Sequence, residues 1–296
     1  MSVNFSFIIP HKNRPDLLQR CVDSIPFRKD IQIVIVDDNS DEAKKPSIKR
    51  EGVEIILLDS TQSKGAGRAR NVGLKRATGK WLLFPDSDDY YSENIEDFLD
   101  SHIDEECDIV YFNFNYLDGT TFKELPPLFF QKEFELFNNT KTAIETIKFH
   151  HNVPWTKMIS NNYLKTHNLF FEEVVNGNDI LFSMMAGYFT DNIMVEKSPI
   201  YVYLKNNNSI LTSKETVNSA LCRLTHLIKL NSFFVYINHS EWKCSIIKRI
   251  IKYISILGLP FLYSILRSSI YIYKNRNEWC KMVYSKTNGN QQVEIF

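Results

Sequence analysis

Residues 65–89 read GAGRARNVGLKRATGKWLLFPDSDD and join a helical pattern, an apolar run and an acidic run in one segment. Small and apolar residues recur at helical spacing over residues 66–77, and Gly79 is suited to end that helix. The apolar run at residues 81–84 predicts a strand, which the acidic residues follow directly. The segment therefore predicts a helix that leads into a buried strand with charged groups at its far end.

The preceding residues repeat this alternation of strand and helix. Apolar or β-branched runs at residues 5–9, 31–36 and 53–58 predict three further strands, and Pro15 stands at the first position of a predicted helix. Alternating strands and helices favour an α/β fold with a mainly parallel sheet and right-handed crossovers.

The pattern changes after residue 93. A further strand is predicted at residues 108–116, helices at 142–149 and 179–189, and two short strands at 193–195 and 200–204. From about residue 218 the chain reads as helical, apolar and basic, and we place a domain boundary there.

Composition, cysteine spacing and the N-terminal residues give no support to several classes of protein. The 35 basic and 35 acidic residues give zero formal net charge, so the whole chain offers no argument for nucleic-acid binding. The five cysteines show no CxxC or His-paired spacing, which favours reduced cytosolic thiols over a disulfide framework or a zinc site. The N-terminus lacks the basic start and long apolar core of a signal peptide. The chain is expected to work in the cytoplasm.

Four polar clusters follow the four predicted N-terminal strands. They are PHKNR at residues 10–14, DDNS at 37–40, SKGAGRARN at 63–71 and PDSDD at 85–89. Ligands of open parallel sheets bind beyond the carboxyl ends of the strands. All four clusters are therefore expected at one edge of the sheet.

The acidic run at residues 86–89 is the sharpest chemical signal. Adjacent carboxylates repel one another unless a cation or hydrogen-bond donors neutralise them, which favours a site for Mg²⁺ or Mn²⁺. The alternative is a solvated turn in which an Asp or Ser caps a helix that begins near Glu93. Asp37 and Asp38 carry a similar ambiguity, because one could cap a helix while the other accepts from a base or a ribose.

The glycines at the start of the predicted helix 66–77 suggest a phosphate site. Backbone N–H groups there, with Arg68 and Arg70 on the first turn, suit a phosphate-bearing ligand. Close helix packing at the glycines and solvated arginines form the alternative. A Walker loop and a GxGxxG motif are both absent, which disfavours ATP hydrolysis and dinucleotide binding.

The segments FSFIIPHKNRPDLLQRCVDSI, IVIVDDNS, GAGRARNVGLKRATGKWLLFPDSDD and NGNDILF closely resemble, in order and spacing, the family 2 glycosyltransferases. The resemblance covers residues 2–211 and implies the Rossmann-like, mainly parallel sheet of the A-type glycosyltransferase fold, followed here by a C-terminal helical appendage. It implies a catalytic domain at 1–217, with a nucleotide-binding half at 1–105 and an acceptor-binding half at 106–217. Residues 218–296 form the basic helical region.

The resemblance and the polar clusters together assign the donor site. The family's DXD motif matches Asp86 to Asp88, which implies Mn²⁺ or Mg²⁺ held by Asp86 and Asp88, and Asp38 matches the aspartate that contacts the base. The residues assigned to the nucleotide-diphosphate sugar are Pro10, His11, Lys12, Asn13, Arg14, Asp37, Asp38, Gly65, Arg68, Arg70, Asn71, Asp86 and Ser87.

The resemblance also implies an inverting reaction with a catalytic base. Asp179 matches the aspartate of the family's Glu-Asp pair, and Asn178 replaces the glutamate. A helix N-cap is the alternative role of Asp179. Trp155, Lys157 and Asn178 are assigned to the acceptor, which is a saccharide or a lipid-linked hydroxyl compound. Trp155 could equally be a core residue.

Two other functions remain as alternatives. A nucleotidyltransferase normally carries a glycine-rich loop after its first strand, and PHKNR contains no glycine. A non-catalytic sugar-binding or assembly relative is favoured only by Asn178. Bacterial cell-surface polysaccharide synthesis is the expected setting, by analogy with the family.

The tail suggests a membrane partner. Residues 221–286 contain eleven Lys or Arg against two Asp or Glu, and residues 245–273 combine basic with Ile-rich positions. The longest uncharged stretch, residues 253–266, is too short to span a bilayer. A peripheral helical hairpin on the inner face of the cell membrane is expected. A helical pair packed on the catalytic domain, or in a homodimer interface, is the alternative.

Overall fold

The structure is a computed structural model, and it describes residues 2–128, 130–174, 177–206 and 215–266. The chain forms two compact units, Met1–Ser213 and Lys214–Phe296. The sequence predicts this boundary at residues 217 and 218. A further division of the first unit at residues 105 and 106 stays a prediction.

The first unit contains one sheet, whose eight strands within the described residues run in the order β3-β2-β1-β4-β7-β6-β8-β5. The strands are β1 (Phe5–His11), β2 (Ile31–Asp37), β3 (Val53–Leu57), β4 (Trp81–Leu83), β5 (Tyr90–Tyr91), β6 (Ile109–Asp118), β7 (Lys157–Ser160) and β8 (Ile193–Lys205). β1 and β2 are buried along almost their whole length, as expected for strands covered on both faces.

The strand pairings confirm the predicted mainly parallel sheet. β1 pairs in parallel with β2 and β4, β2 with β3, and β6 with β8, whereas β7 and β5 pair antiparallel with their neighbours. In the register of β1 and β2, His11 lies opposite Asp37. The polar clusters after these two strands are therefore neighbours.

The prediction of two short strands at 193–195 and 200–204 is wrong. β8 is one strand, and its register with β6 shifts between Phe112 and Phe114. Lys197, Ser198 and Pro199 interrupt the apolar pattern at this irregularity, which is where a sheet tolerates a proline. The short strands β5 and β7 were not predicted, because two to four residues show too little alternation.

Helices surround the sheet in the first unit. They are α1 (Pro15–Asp23), α2 (Ala66–Arg76), α3 (Ile95–His102), α4 (Lys132–Leu136), α5 (Lys141–His150), α6 (Asn161–Thr166) and α7 (Ile180–Tyr188). Glycines let α2 approach its neighbours closely. A Cβ atom at Gly73 would lie 2.4 Å from Cγ2 of Ile8, and one at Gly67 would lie 2.0 Å from the carbonyl oxygen of Glu172.

The regular secondary structure of the second unit, within its described residues, is all helical. It contains α8 (Val217–Tyr236), α9 (Ile246–Leu257) and a helical segment at 259–266. Thr216 and Ser219 form a capping box at the start of α8. Within the described residues, no helix combines the length and the apolar character needed to cross a membrane.

Gly67→Ala is expected to lower the thermal unfolding midpoint. The added methyl group would overlap the Glu172 carbonyl and lie 2.8 Å from Cβ of Asn178. Overpacking of this kind costs about 1–3 kcal/mol. Thermal unfolding followed by circular dichroism measures the loss, with Lys75→Ala at an exposed position of α2 as the control. An unchanged midpoint for Gly67→Ala would show that α2 does not approach residue 172 this closely.

Candidate functional site

A buried hydrogen-bond network joins the ends of β1 and β2. Nδ1 of His11 lies 2.7 Å from Oδ1 of Asp37, and Nε2 accepts the N–H of Arg14 at 3.1 Å. Nδ1 is therefore the protonated nitrogen and donates to Asp37. Asp37 also accepts from the backbone N–H and the hydroxyl of Ser40, at 2.9 and 2.5 Å. His11 and Asp37 thus orient the loops that follow β1 and β2. Their direct contact with a nucleotide-sugar donor stays a prediction.

Asp38 ties the loop after β2 to the turn before α2. Its carboxylate accepts from the backbone N–H groups of Lys64 and Gly65, at 3.1 and 3.2 Å, and from Nζ of Lys12 at 3.3 Å. Gly65 has a φ of 86°, a conformation that favours glycine. A nucleobase that binds Asp38 would share its carboxylate with these donors.

The segment after β1 is shaped by Asn13, which has a positive φ of 58°. Its backbone N–H donates to the hydroxyl of Ser40 at 2.8 Å, and its Oδ1 accepts the N–H of Asp41 at 2.8 Å. Pro10 is a buried residue of β1, whereas Lys12 is exposed. The two hydrogen bonds of Asn13 hold the segment after β1 against the loop that follows β2.

The first turns of α2 hold the segment at residues 171–173. The side-chain amide of Asn71 donates to the carbonyl of Phe171 and accepts its N–H, both at 2.9 Å. Nη1 of Arg68 donates to Glu173 at 3.1 Å, and Nζ of Lys64 lies 3.5 Å from the same carboxylate. Glu173 was not predicted as part of this site, because only the fold brings it next to α2.

Arg70 joins the acidic loop, residues 86–89, to Asn178, the residue before the predicted base Asp179. Its residue exposure is only 4%, and its guanidinium donates to Oδ1 of Asn178 at 2.8 Å and to Oδ1 of Asp86 at 2.5 Å. The ring of Phe171 lies below the guanidinium, 5.2 Å from its centre. The sequence assigns Asn178 to the acceptor. In the structure it accepts a hydrogen bond from the Arg70 guanidinium, which lies next to the acidic loop.

The acidic loop brings three carboxylates together. Oxygen atoms of Asp86, Asp88 and Asp89 all lie within 4.8 Å of one another. Burial raises the pKa of Asp88 and the negative charge of Asp86 adds to the effect. Burial, followed by the charges of Asp88 and Asp86, raises the pKa of Asp89 well above its usual range. The ionised cluster is therefore unfavourable without a further cation.

Protein groups contact each carboxylate of this cluster, and Arg70 is the partner of Asp86. Asp89 accepts from the hydroxyl of Tyr201 at 3.0 Å and from the N–H of Leu204 at 2.8 Å. Arg14 lies 3.3 Å from a carboxylate oxygen of Asp88. The alternative in which an Asp or Ser of this run caps a helix is wrong, since α3 begins after Asn94 and no side chain caps it. Ser87 is half-buried within the loop.

Asp179 lies at the N-terminus of α7 and is half-buried. It occupies the N-cap position, but its side chain makes no capping hydrogen bond. Helix capping, the alternative role from sequence, is therefore not what this side chain does. Its role as a base stays a prediction.

Trp155 and Lys157 are both buried. Trp155 is 5% exposed, and its ring packs edge-on against Phe114 and parallel to Tyr201 and Tyr203. Nζ of Lys157 donates to the carbonyls of His151, at 2.6 Å, and Val153. Both residues thus build the core beside the site, and their predicted contact with an acceptor stays a prediction.

Lys157 is expected to make folding stability depend on pH. Burial lowers its pKa to about 7, although Asp179 opposes this shift. Between pH 7 and the usual lysine pKa, the folded chain binds fewer protons than the unfolded chain, so stability rises with pH. Relative to Lys157→Met, the wild type should gain about 2 kcal/mol from pH 7 to pH 9.

Urea unfolding at the two pH values measures this difference. Lys75→Met, at an exposed position, serves as the control and should show no such trend. A difference between wild type and Lys157→Met that is constant from pH 7 to 9 would contradict a buried, neutralised amine.

Asn178→Ala is expected to destabilise the first unit. The substitution leaves a buried N–H of the Arg70 guanidinium without its acceptor, which costs about 1–3 kcal/mol. The thermal unfolding midpoint measures the loss, and Asn94→Ala is the exposed control. Equal midpoints for the two variants would argue against the Arg70 bridge.

The mainly parallel α/β sheet, the glycine-containing turn before α2 and the acidic loop after β4 are features of the A-type glycosyltransferase fold. Residues 6–167 match the model of glycosyl transferase family 2. The chain belongs to this family. The predicted family and fold class are confirmed. The predicted enzyme class, a nucleotide-sugar glycosyltransferase, agrees with this family.

Several bacterial proteins are similar to the chain. The poly(ribitol-phosphate) beta-N-acetylglucosaminyltransferase TarS of Staphylococcus aureus strain MW2 is 29% identical over 218 residues, covering 68% of this chain and 35% of TarS. The uncharacterized glycosyltransferase EpsJ of Bacillus subtilis strain 168 is 26% identical, covering 69% of this chain and 62% of EpsJ. The chain thus spans about a third of TarS and under two thirds of EpsJ.

The crystal structure of S. aureus TarS 1-349 in complex with UDP-GlcNAc has a similar fold. It aligns with a TM-score of 0.57 and 21% identity, covering 78% of this chain and 71% of the TarS fragment. At this identity the likeness concerns the fold.

Proposed function

We propose that the chain is a metal-dependent, inverting glycosyltransferase that moves a sugar from a nucleotide-diphosphate sugar to a hydroxyl group of an acceptor. The observation that carries the proposal is the group of three carboxylates within 4.8 Å that follows β4. It lies at the carboxyl end of the parallel strands, where ligands of such sheets bind.

The residues of the acidic loop fit a hard divalent cation. Mg²⁺ and Mn²⁺ prefer oxygen ligands, and burial together with mutual repulsion raises the pKa of Asp88 and Asp89 in their absence. Asp86 and Asp88 would hold the cation, while Asp89 is engaged by Tyr201 and Leu204. The bound cation supplies positive charge that stabilises a departing nucleoside diphosphate.

Asp179 is the proposed base. Its carboxylate would take the proton of the acceptor hydroxyl while that oxygen attacks C1 of the sugar and the bond from C1 to the diphosphate breaks, which inverts the anomeric centre. Asn178, the residue before the proposed base, is a neutral hydrogen-bond acceptor for Arg70. Arg70 in turn restrains Asp86, so donor and base loops are tied to each other.

The setting follows from the similar proteins. TarS is by name a poly(ribitol-phosphate) beta-N-acetylglucosaminyltransferase, and the crystal structure of its 1-349 fragment contains UDP-GlcNAc. We therefore propose a UDP-sugar as the first donor to test. We propose that the acceptor is a saccharide or a lipid-linked compound and that the reaction belongs to cell-surface polysaccharide synthesis. Such donors occur in the cytoplasm, which we propose as the location of the chain, with peripheral contact at the inner face of the membrane.

A non-catalytic sugar-binding relative is the competing function. The observation that favours it is Asn178 in place of the family's glutamate. A nucleotidyltransferase is not supported, since the loop after β1 carries no glycine. Turnover of the donor separates an enzyme from a binding protein.

Two substitutions are expected to separate donor binding from chemistry. Asp88→Asn should abolish the Mn²⁺-dependent part of UDP binding, because it removes a proposed ligand charge. Asp179→Asn should bind UDP as the wild type does, but its transfer or hydrolysis of a UDP-sugar should fall by about 10²–10⁴-fold. Calorimetric titration with UDP and Mn²⁺ and release of UDP from the sugar donor are the measurements.

Asp97→Asn, at an exposed position of α3, is the matched control and should behave as the wild type. Metal-dependent binding that survives in Asp88→Asn would exclude the metal assignment. Full turnover by Asp179→Asn would show that another group is the base. Failure of the wild type to bind UDP, GDP or dTDP with Mn²⁺ would reject the proposed function.

A further inference from the structure

The second unit exposes several large apolar side chains on two consecutive helical segments. In the helical segment 259–266, Leu259 and Tyr263 are 78% and 68% exposed, and Leu262 and Leu266 complete an i, i+3, i+4, i+7 stripe. On α9, Ile247 and Ile251 are 71% and 61% exposed. We call these six residues the apolar stripe.

The opposite faces of the same helices are packed. Tyr253 and Phe261 are buried in a cluster with Ala220 and Leu224 of α8, and Ile250 and Ile254 pack against it. The apolar stripe cannot turn inward without exposing Tyr253 and Phe261. The helices of this unit thus pack on one another, and this packing leaves the stripe exposed.

The charged residues within the sequence segment that carries the stripe have one sign. Lys243, Lys248, Arg249 and Lys252 are all exposed, and no Asp or Glu occurs from residue 242 to residue 266. On α9, Lys248 precedes Ile251 by three residues and Lys252 follows it directly, so both lysines flank Ile251 on the helix surface. An apolar stripe next to lysines is the pattern of helices that lie in an anionic membrane interface.

We propose that the apolar stripe and the four cations dock on an anionic lipid surface, with Ile, Leu and Tyr side chains in the headgroup region. A second copy of the chain is disfavoured as the occupant. A two-fold interface would place the same surface on both partners and so bring four cations of each copy together. The segment at residues 267–273, also predicted to contact the membrane, lies outside the described residues.

Co-sedimentation of the full-length chain with vesicles tests the proposal. Wild type should bind vesicles of phosphatidylcholine with phosphatidylglycerol, and hardly bind phosphatidylcholine alone. Binding should weaken several-fold from 0.1 to 0.5 M NaCl, because salt screens the lysines. Ile251→Glu/Leu259→Glu should reduce binding about 10-fold or more, since charged groups replace inserted apolar ones.

The matched control is Leu136→Glu, which changes an equally exposed leucine of the first unit, 75% against 78% for Leu259. It should bind as the wild type does. Lys248→Gln/Lys252→Gln should lose the preference for phosphatidylglycerol while keeping the unfolding midpoint of the wild type, because both lysines are exposed.

Three outcomes would overturn the proposal. They are absence of wild-type binding to the anionic vesicles, equal binding by wild type and Ile251→Glu/Leu259→Glu, and a wild-type dimer in analytical ultracentrifugation that this double variant dissociates. The last outcome would make the stripe an interface between two copies. The wild-type salt and lipid series needs no variant, so it decides the question even if a substitution disturbs folding. The proposal does not depend on the proposed sugar transfer.

Discussion

The buried guanidinium of Arg70 imposes the constraint on which the site depends. A buried cation must be paired, and breaking such a pair costs about 3–5 kcal/mol. Asp86 and Asn178 supply the partners of Arg70 from two segments that are distant in the sequence. The acidic loop after β4 and the start of α7 are therefore held together through one side chain of α2.

Glycine at position 67 makes this pairing sterically feasible. Because it has no Cβ, the backbone at Glu172 and the side chain of Asn178 can lie against the first turn of α2. Asn71 then fixes the same segment through two hydrogen bonds to Phe171. Gly67, through its missing Cβ, and Asn71, through its hydrogen bonds to the backbone, thus position the charged groups that carry the proposed chemistry.

Electrostatics and packing act in opposite directions at the acidic loop. The sheet buries Asp89 completely and hydrogen bonds hold it there, yet the neighbouring carboxylates repel it. This repulsion makes the loop less stable than neutral side chains would, and it is the property on which the proposed cation site rests. Along β6 and β8, by contrast, aromatic rings around Trp155 form an apolar core beside the same site.

Local patterns in the sequence predicted most of the sheet, the helix α2 and the acidic loop correctly. Apolar runs and helical spacing report which residues must be buried, and burial determines the type of element. Polar pairing is different, because it depends on which segments meet in space. His11 meets Asp37 across 26 positions, Asn71 meets Phe171 across 100 and Arg70 meets Asn178 across 108.

For this reason the type of chemistry could be predicted from residue identities, whereas the partner of each side chain could not. Lys157 and Trp155 are of residue types that often contact ligands, and only the packing of β6, β7 and β8 shows that both are buried. Glu173 and Tyr201 carry no local signal, and only the folded chain brings them to α2 and to Asp89. Burial is encoded by periodicity along the chain, while hydrogen-bond partners are set by distances that only the fold creates.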